Sequence, residues 1–265
     1  MINFINSQKN TFLAITAMVV GVIFIDIHGL IVKYLGGEYS TIQLALFRNT
    51  FAIIPLILLL IYNKESSDLF KNLSKKFILF CFVRGSCFLA INILYYIAIN
   101  NMEFATASTL TFSSTFFIVI LSIFFLGDKV GIYRWSAVII GFIGVVMIMR
   151  PNSSIFSYYS ILPILVAFLW AVQVIVLKFI PDNFSTGKIQ FYSLFSSFLG
   201  SLVFIFFTTG HTYIETQSDF FILSLIGIFG GTAAILFIYS YRLIAASKIA
   251  VFEYLAIPSS FILAW

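Results

Sequence analysis

Five ionisable side chains stand inside long apolar runs of this sequence: Asp26, His28, Arg48, Arg84 and Glu253. A charge at the middle of a bilayer costs at least about 2.5–3.5 kcal/mol on insertion scales, so such groups turn toward protein and find partners. Opposite charges at one depth can pair, a carboxylate deprived of water can exchange a proton, and a cluster of both signs can hold a charged solute. Counted at about 1.5 Å per residue, Asp26 and Arg48 lie roughly 9 and 10 Å from one face, and Arg84 and Glu253 roughly 10 and 6 Å from the other. An Asp26–Arg48 pair and an Arg84–Glu253 pair are therefore expected, as clamps of helix register or as parts of a cavity. For Asp26 and Glu253 the sharper reading is proton coupling. His28 either joins that relay or is a histidine satisfied by a hydrogen bond.

Polar and aromatic residues in the same runs extend the candidate cavity: Asn92, Tyr95, Tyr96, Trp170, Gln173, Tyr241 and Tyr254. Trp170 and Gln173 are three apart and share a helix face. An aromatic beside an amide suits a planar or amphiphilic solute, although interhelical hydrogen bonding explains the same pattern. The 33 Phe residues are too many to single out, and none is assigned a functional role. No catalytic residue is assigned. HExxH and GxxxxGK[ST] are absent, and Leu126-Gly127-Asp128 lacks the preceding Gly of a GxGD protease. Cys81 and Cys87 have neither metal-type nor disulfide-framework spacing, so no metal site is expected.

The elements that carry these residues follow from composition. Of 265 residues, 61% are hydrophobic and 9% charged, against roughly 45–50% and 25% in soluble domains. This excludes a water-soluble globule and a disordered chain. Apolar runs of helix-spanning length lie near 11–32, 41–62, 77–99, 104–126, 133–149, 160–180, 186–207 and 219–241, and a ninth begins near 249. They lack the alternating segments of about 10 residues that a membrane barrel needs. The first run has no small-residue cleavage site and carries Asp26 and His28, so it reads as a retained helix rather than a signal peptide.

The net charge of +5 sits in short loops and bears on orientation, not on nucleic acid. With the N-terminus in the cytoplasm, the inner side holds Lys9, Lys64, Lys71, Lys75, Lys76, Lys129, Arg134, Lys178, Lys188, Arg242 and Lys248, and the outer side only Lys33 and Arg150. Lys33 and Lys178, at span ends, are expected to snorkel. Gly227 and Gly231 form a GxxxG for close helix approach, with Gly141 and Gly144 as a similar pair.

Shifted by 145 residues, the chain matches itself: GLIVKYLGGEYST (29–41) lies over VIVLKFIPDNFST (174–186) without a gap. The same shift pairs Gly85 with Gly230, Tyr96 with Tyr241, Ala105 with Ala250, Leu110 with Leu255 and Phe116 with Phe261. One offset across several loops implies a repeat of five helices. Five is odd, so the second copy enters the membrane from the opposite side, the inverted topology of many secondary transporters, whose substrate site lies between the halves. Residues 1–150 form the first repeat and 151–265 the second, and counterparts of 127–150 would fall at about 272–295, so a ten-helix protein truncated at its C-terminus to about nine helices is expected. The buried charges break the repeat: Asp26 meets Ala171, Arg48 meets Ser193, Arg84 meets Phe229 and Glu253 meets Ser108.

These segments resemble the EamA-like members of the drug/metabolite transporter superfamily. The resemblance rests on DIHGLIVKYL and STIQLALFR (26–48), VRG (83–85), YYIAINNMEFATASTLTF (95–112), FFLGDKVGIYRWSAVIIGFIGVVMIMRP (124–151) and VFEYLAIPSSF (251–261). The family's Asp, the Lys seven residues on, the helix-2 Arg and the helix-3 Arg-Gly fall on Asp26, Lys33, Arg48, Arg84 and Gly85. The Pro frequent in helix 4 is replaced by FSST, and the loop Glu by Asp128. The resemblance implies an all-α carrier of ten helices in the bacterial inner membrane, without cofactor, whose cargo and direction it leaves open. The expected function is secondary transport of a small polar or amphiphilic metabolite by alternating access, with protons as a candidate coupling ion and a homodimer as an open arrangement. A non-transporting membrane scaffold and an intramembrane enzyme are the competing readings.

Overall fold

A computed structural model describes residues 2–35, 38–149, 158–207, 212–214, 216–256, 258–259 and 262. Among them every regular element is a helix. The expected boundary at 150/151, together with Arg150 and Phe261, lies outside the described residues.

The first span is one long helix, α1 (Ile2–Leu35). Ser40 opens the second by accepting a hydrogen bond from the Gln43 N–H at 3.3 Å, which satisfies one of the free donors of a helix start. This span divides into α2 (Thr41–Phe51) and α3 (Ile53–Tyr62). Pro55 accounts for the break, because it has no N–H to give and its ring crowds the carbonyl four residues back. Ser74 caps α4 (Lys75–Asn101) by accepting from the Phe77 N–H.

The fourth span divides again, into α5 (Phe104–Thr111) and α6 (Ser114–Leu126). Here no proline is involved. Thr109, Thr111 and Ser113 turn their hydroxyls back onto the carbonyls of Ala105, Ser108 and Leu110 at 2.6–2.8 Å, competing with the backbone ladder. The FSST segment thus interrupts the helix without the ring. Gly127 then ends α6 at φ 67°, and the Asp128 N–H reaches back to the Ser122 carbonyl.

The remaining helices are α7 (Ile132–Met149), α8 (Ile161–Lys178), α9 (Thr186–Phe207) and α10 (Gln217–Leu243). The expected ninth helix is not a continuous α-helix among the described residues. It is a short α11 (Ala246–Ile249) running into a 3₁₀ segment, Ala250–Leu255. Seven of the described stretches are long and apolar enough to cross a membrane.

Packing couples the two ends of the sequence. α1 runs along α10, α4 along α8 and α9, and α2 along α10. The largest buried apolar cluster joins Ala14, Met18 and Val22 to Ala233, Phe237 and Ile238. Outward-facing aromatics such as Phe124, Phe206 and Phe207 remain highly exposed, a surface suited to acyl chains rather than water.

Two expectations about side chains are corrected. Lys33 and Lys178 do not snorkel. Lys33 donates to the Ile99 carbonyl and, at 3.1 Å, to that of Met102; Lys178 donates to the Ile244 carbonyl at 2.7 Å. Carbonyls at a helix C-terminus lack intrahelical partners and carry the negative end of the dipole, so they draw in a nearby ammonium. The glycine pairs also differ from expectation. A Cβ on Gly227 would lie 2.4 Å from the Cβ of Phe51, and one on Gly231 2.8 Å from the Cα of Ala52, so this pair does seat α10 against α2–α3. A Cβ on Gly141 would strike the Tyr254 ring, whereas one on Gly144 would meet nothing within 4 Å among the described residues.

Replacing Gly227 by Ala is expected to lower the midpoint of thermal unfolding in detergent, since overpacking costs about 1–3 kcal/mol. Gly144→Ala should leave the midpoint unchanged or raise it slightly. Equal midpoints for the two variants would contradict the close seat of α10.

Candidate functional site

A cavity of about 130 Å³ opens between α1, α2, α4, the α5–α6 break, α8, α10 and the 3₁₀ segment, and its wall includes Asp26, His28, Arg48, Asn92, Tyr95, Trp170 and Glu253. Seven of the twelve candidate side chains therefore meet at one place. A second chamber of about 20 Å³, the size of one or two waters, is lined by Arg84, Gln173, Gln190, Ser193 and Tyr241. Phe88, Trp170, Ala234 and Phe237 border both spaces and divide them. Tyr96 sits behind the wall, its hydroxyl 2.9 Å from His28 Nε2. Tyr254 lines neither space. Its ring lies against Gly141 and its hydroxyl 3.5 Å from the Val138 carbonyl.

Glu253 reaches the cavity because the 3₁₀ segment turns it inward. Its Oε1 accepts from Tyr241 Oη at 2.5 Å and from Trp170 Nε1 at 2.9 Å, and its Oε2 from Ser114 Oγ at 3.0 Å. Three neutral donors on α10, α8 and α6 thus hold one buried carboxylate, each bond strengthened by the charge. Asp26, 4% exposed, accepts from Ser259 Oγ at 2.5 Å through Oδ2. Tyr95 is tied to Ser108 at 2.9 Å.

Neither expected ion pair forms. Arg48 is fully buried; it donates to the Gly230 carbonyl at 3.0 Å and to Asn49 Oδ1 at 3.2 Å. Its guanidinium carbon stands 3.9 Å from the centre of the Phe88 ring, a cation–π contact strengthened by the absence of water. Arg84 donates to the Gln173 carbonyl at 2.8 Å. Backbone oxygens and an aromatic face thus stand where carboxylates were expected. The pairs fail because depth along a helix fixes height but not the direction in which a side chain projects. Of the candidate side chains, His28 Nδ1, Arg48 Nε, Arg84 Nε, Asn92 Nδ2 and Gln173 Nε2 are buried without a hydrogen-bond partner among the described residues. The last four are donors, and His28 Nδ1 donates or accepts according to its tautomer.

The sequence reading missed Ser114, Ser259, Ser108 and Phe88. The two serines were within reach: they lie 145 residues apart, and each donates to a buried carboxylate. Phe88 was lost among the other phenylalanines. Chemically the cavity offers a guanidinium, a carboxylate with one oxygen engaged, a saturated carboxylate and an aromatic wall, an assembly for holding a solute. Among the described residues, no three His, Cys, Asp or Glu side chains gather as metal ligands would.

With this geometry in place, known proteins supply context. The model of the EamA-like transporter family matches residues 12–150. An S-adenosylmethionine uptake transporter of Rickettsia bellii (strain RML369-C) is 24% identical over 233 residues, 88% of this chain and 77% of that protein. A riboflavin transporter of Rhizobium johnstonii (strain DSM 114642 / LMG 32736 / 3841) is 38% identical over 66 residues, 25% of this chain and 22% of that protein. A solved crystal structure superposes with a TM-score of 0.73, covering 97% of this chain and 87% of its own at 16% identity, and so shares the fold. Spanning-length helices around a polar interior and a family match over more than half the chain converge: this is a multi-pass membrane protein of the EamA-like transporter family, a carrier of small metabolites and not an enzyme.

Proposed function

We propose that the chain is a secondary transporter working by alternating access between two inverted repeats, 1–150 and 151–265, of a ten-helix architecture. In this reading it lies in the bacterial inner membrane with its N-terminus in the cytoplasm, and the solute binds in the cavity bounded by Asp26, Arg48 and Glu253. Asp26, Arg48, Glu253, His28, Asn92, Tyr95 and Trp170 are the proposed contact or coupling residues. Arg84 and Gln173 guard the adjoining chamber, and Tyr96 positions His28.

The observation that carries the reading is an exchange of equivalent contacts across the 145-residue offset. Lys33 bonds the Ile99 carbonyl and Lys178 that of Ile244. Ser40 caps with the Gln43 N–H and Ser185 with that of Lys188. Gly85 faces the Ser193 carbonyl, while Gly230 faces Arg48, the offset partner of Ser193. α1 packs on α10, and their counterparts α8 and α4 pack on each other. Such swapping is what a pseudo-twofold axis between the halves produces.

The cavity itself supports motion. At about 130 Å³ it falls short of the roughly 300–1,000 Å³ of metabolite-sized pockets, so a bound solute requires the halves to part. Both carboxylates bridge the halves, Asp26 to Ser259 and Glu253 to Ser114. A proton taken up by either would remove the charge that strengthens those bonds, which links proton binding to opening. Solutes of the kind named for the relatives, S-adenosylmethionine and riboflavin, are the first to test.

Flux into proteoliposomes should fall at least about tenfold, the equivalent of ~1.4 kcal/mol, for each of Asp26→Asn, Arg48→Ala and Glu253→Gln, with insertion and monodispersity retained. Wild-type flux in all three would remove these residues from the mechanism. For topology, single cysteines at Tyr34 and Phe179 in a Cys81→Ser, Cys87→Ser background should react with an impermeant thiol reagent from opposite sides, Tyr34→Cys from outside. Labelling of both from one side would end the inverted-repeat proposal.

A further inference from the structure

The cavity holds buried charges of both signs that leave each other unpaired. Among the described residues, Arg48 has no carboxylate within ion-pair distance, and the ion pairs found there, Lys71–Asp68 and Arg242–Asp182, lie elsewhere. An Arg in a low-dielectric interior without a counter-ion is costly, and a carbonyl and a ring offset only part of that cost. Two residues evolved only to clamp helices would meet. Asp26 and Arg48 instead stand apart on the wall of one cavity.

The remaining hydrogen-bond capacity points the same way. Arg48 Nε and Asn92 Nδ2 are donors without partners, on side chains 0% and 5% exposed that line the cavity. They are complementary to an anionic group. On the acceptor side, Glu253 has both oxygens engaged by three donors. Asp26 is bonded among the described residues through Oδ2 alone, which leaves Oδ1 for a cation. Trp170 and Phe237 supply an apolar wall near both.

Resting on the transporter reading above, we propose that the cargo is a zwitterion, its anionic group bound at Arg48 Nε and Asn92 Nδ2 and its cationic group at Asp26 Oδ1, with an apolar body against Trp170 and Phe237. Selectivity then comes from what a cropped solute leaves behind. A ligand with one charge strands the opposite charge of the site, and an unpaired buried polar group discriminates more strongly than a missing apolar contact.

The test uses matched solutes on the purified, reconstituted protein, scored by thermal stabilisation and by flux: the amino acids with uncharged side chains as zwitterions, S-adenosylmethionine as a zwitterion with one further cationic group, amino-acid methyl esters as cations, N-acetyl amino acids as anions, and riboflavin as an uncharged solute. One or more zwitterions should stabilise and move, and the corresponding ester and N-acetyl derivatives should bind at least about tenfold more weakly. Asp26→Asn, which keeps the side-chain shape, should bring the zwitterion down to the level of its N-acetyl derivative, and that derivative, which no longer strands a carboxylate, should bind as tightly as to wild type or more tightly. Asn92→Ala should weaken zwitterion and N-acetyl derivative together and spare the ester. A derivative that binds wild type as well as its parent would overturn the proposal, as would an Asp26→Asn variant that loses every solute equally. Flux of riboflavin with none for the zwitterions would overturn it and leave the transporter reading standing. No flux of any solute would bring down both.

Discussion

Glu253 is the interaction around which the rest of this bundle is arranged. A carboxylate inside a membrane protein must be supplied with donors by its neighbours, because lipid supplies none. Three helices do so here, through Ser114, Trp170 and Tyr241. The requirement fixes the rotation of α6, α8 and α10 about their own axes, since each must aim one polar atom at one point. It also explains why residues 250–255 leave α-helical geometry: the 3₁₀ segment presents Glu253 inward while Tyr254 turns to Gly141.

The same rule governs the helix ends. A broken span exposes carbonyls that water cannot reach, and the chain meets that need with its own side chains. Lys33 and Lys178 serve the C-termini of α4 and α10, and the hydroxyls of Thr109, Thr111 and Ser113 serve the break between α5 and α6. Irregular backbone at membrane depth is tolerated where it lines a cavity or is buried in protein. Thr111, Phe112 and Ser114, around that break, line the cavity. The discontinuity that costs helical hydrogen bonds therefore also forms part of the cavity wall.

Much of this was legible in the sequence, and the limits have a physical origin. Apolar run length located the helices because a bilayer sets their minimum length. Polar residues within those runs located the cavity, because burying them anywhere else is too costly; Asp26, Arg48, Asn92 and Glu253 were found this way. Partner identity was not legible. Asp26 and Arg48 stand at similar depth, yet their side chains bond Ser259 and Gly230, because a helix offers about 100° of rotation per residue and sequence position alone does not fix which way the helix is turned. The Lys33 and Lys178 carbonyl contacts were hidden for a related reason: a span-end lysine looks the same whether it reaches for water or for a helix C-terminus. Phe88 escaped because its value lies in one neighbour, Arg48, and composition carries no record of neighbours.

Some pairs that obey the 145-residue offset serve the scaffold, while Ser114 and Ser259, and Tyr96 and Tyr241, obey it and bond the cavity's own polar groups. Lys33 and Lys178, and Ser40 and Ser185, make capping contacts, and Gly85 and Gly230 make close packing contacts. The charges of the cavity fall on positions without a charged counterpart: Ala171 opposite Asp26, Ser193 opposite Arg48 and Ser108 opposite Glu253. A twofold-related pair of sites would present like charges to both ends of a solute and could not tell one end from the other. Binding a molecule whose ends differ in sign requires that symmetry to be broken at the contact residues while being kept in the scaffold that moves them. Tyr96 and Tyr241 show how little change this takes. Each hydroxyl faces the cavity's polar groups from an equivalent place, one meeting His28 and the other Glu253. In the proposed inverted-repeat reading, a scaffold duplicated for motion is made polar in one sense only, and the polarity resides in a few side chains that have no charged counterpart in the other half.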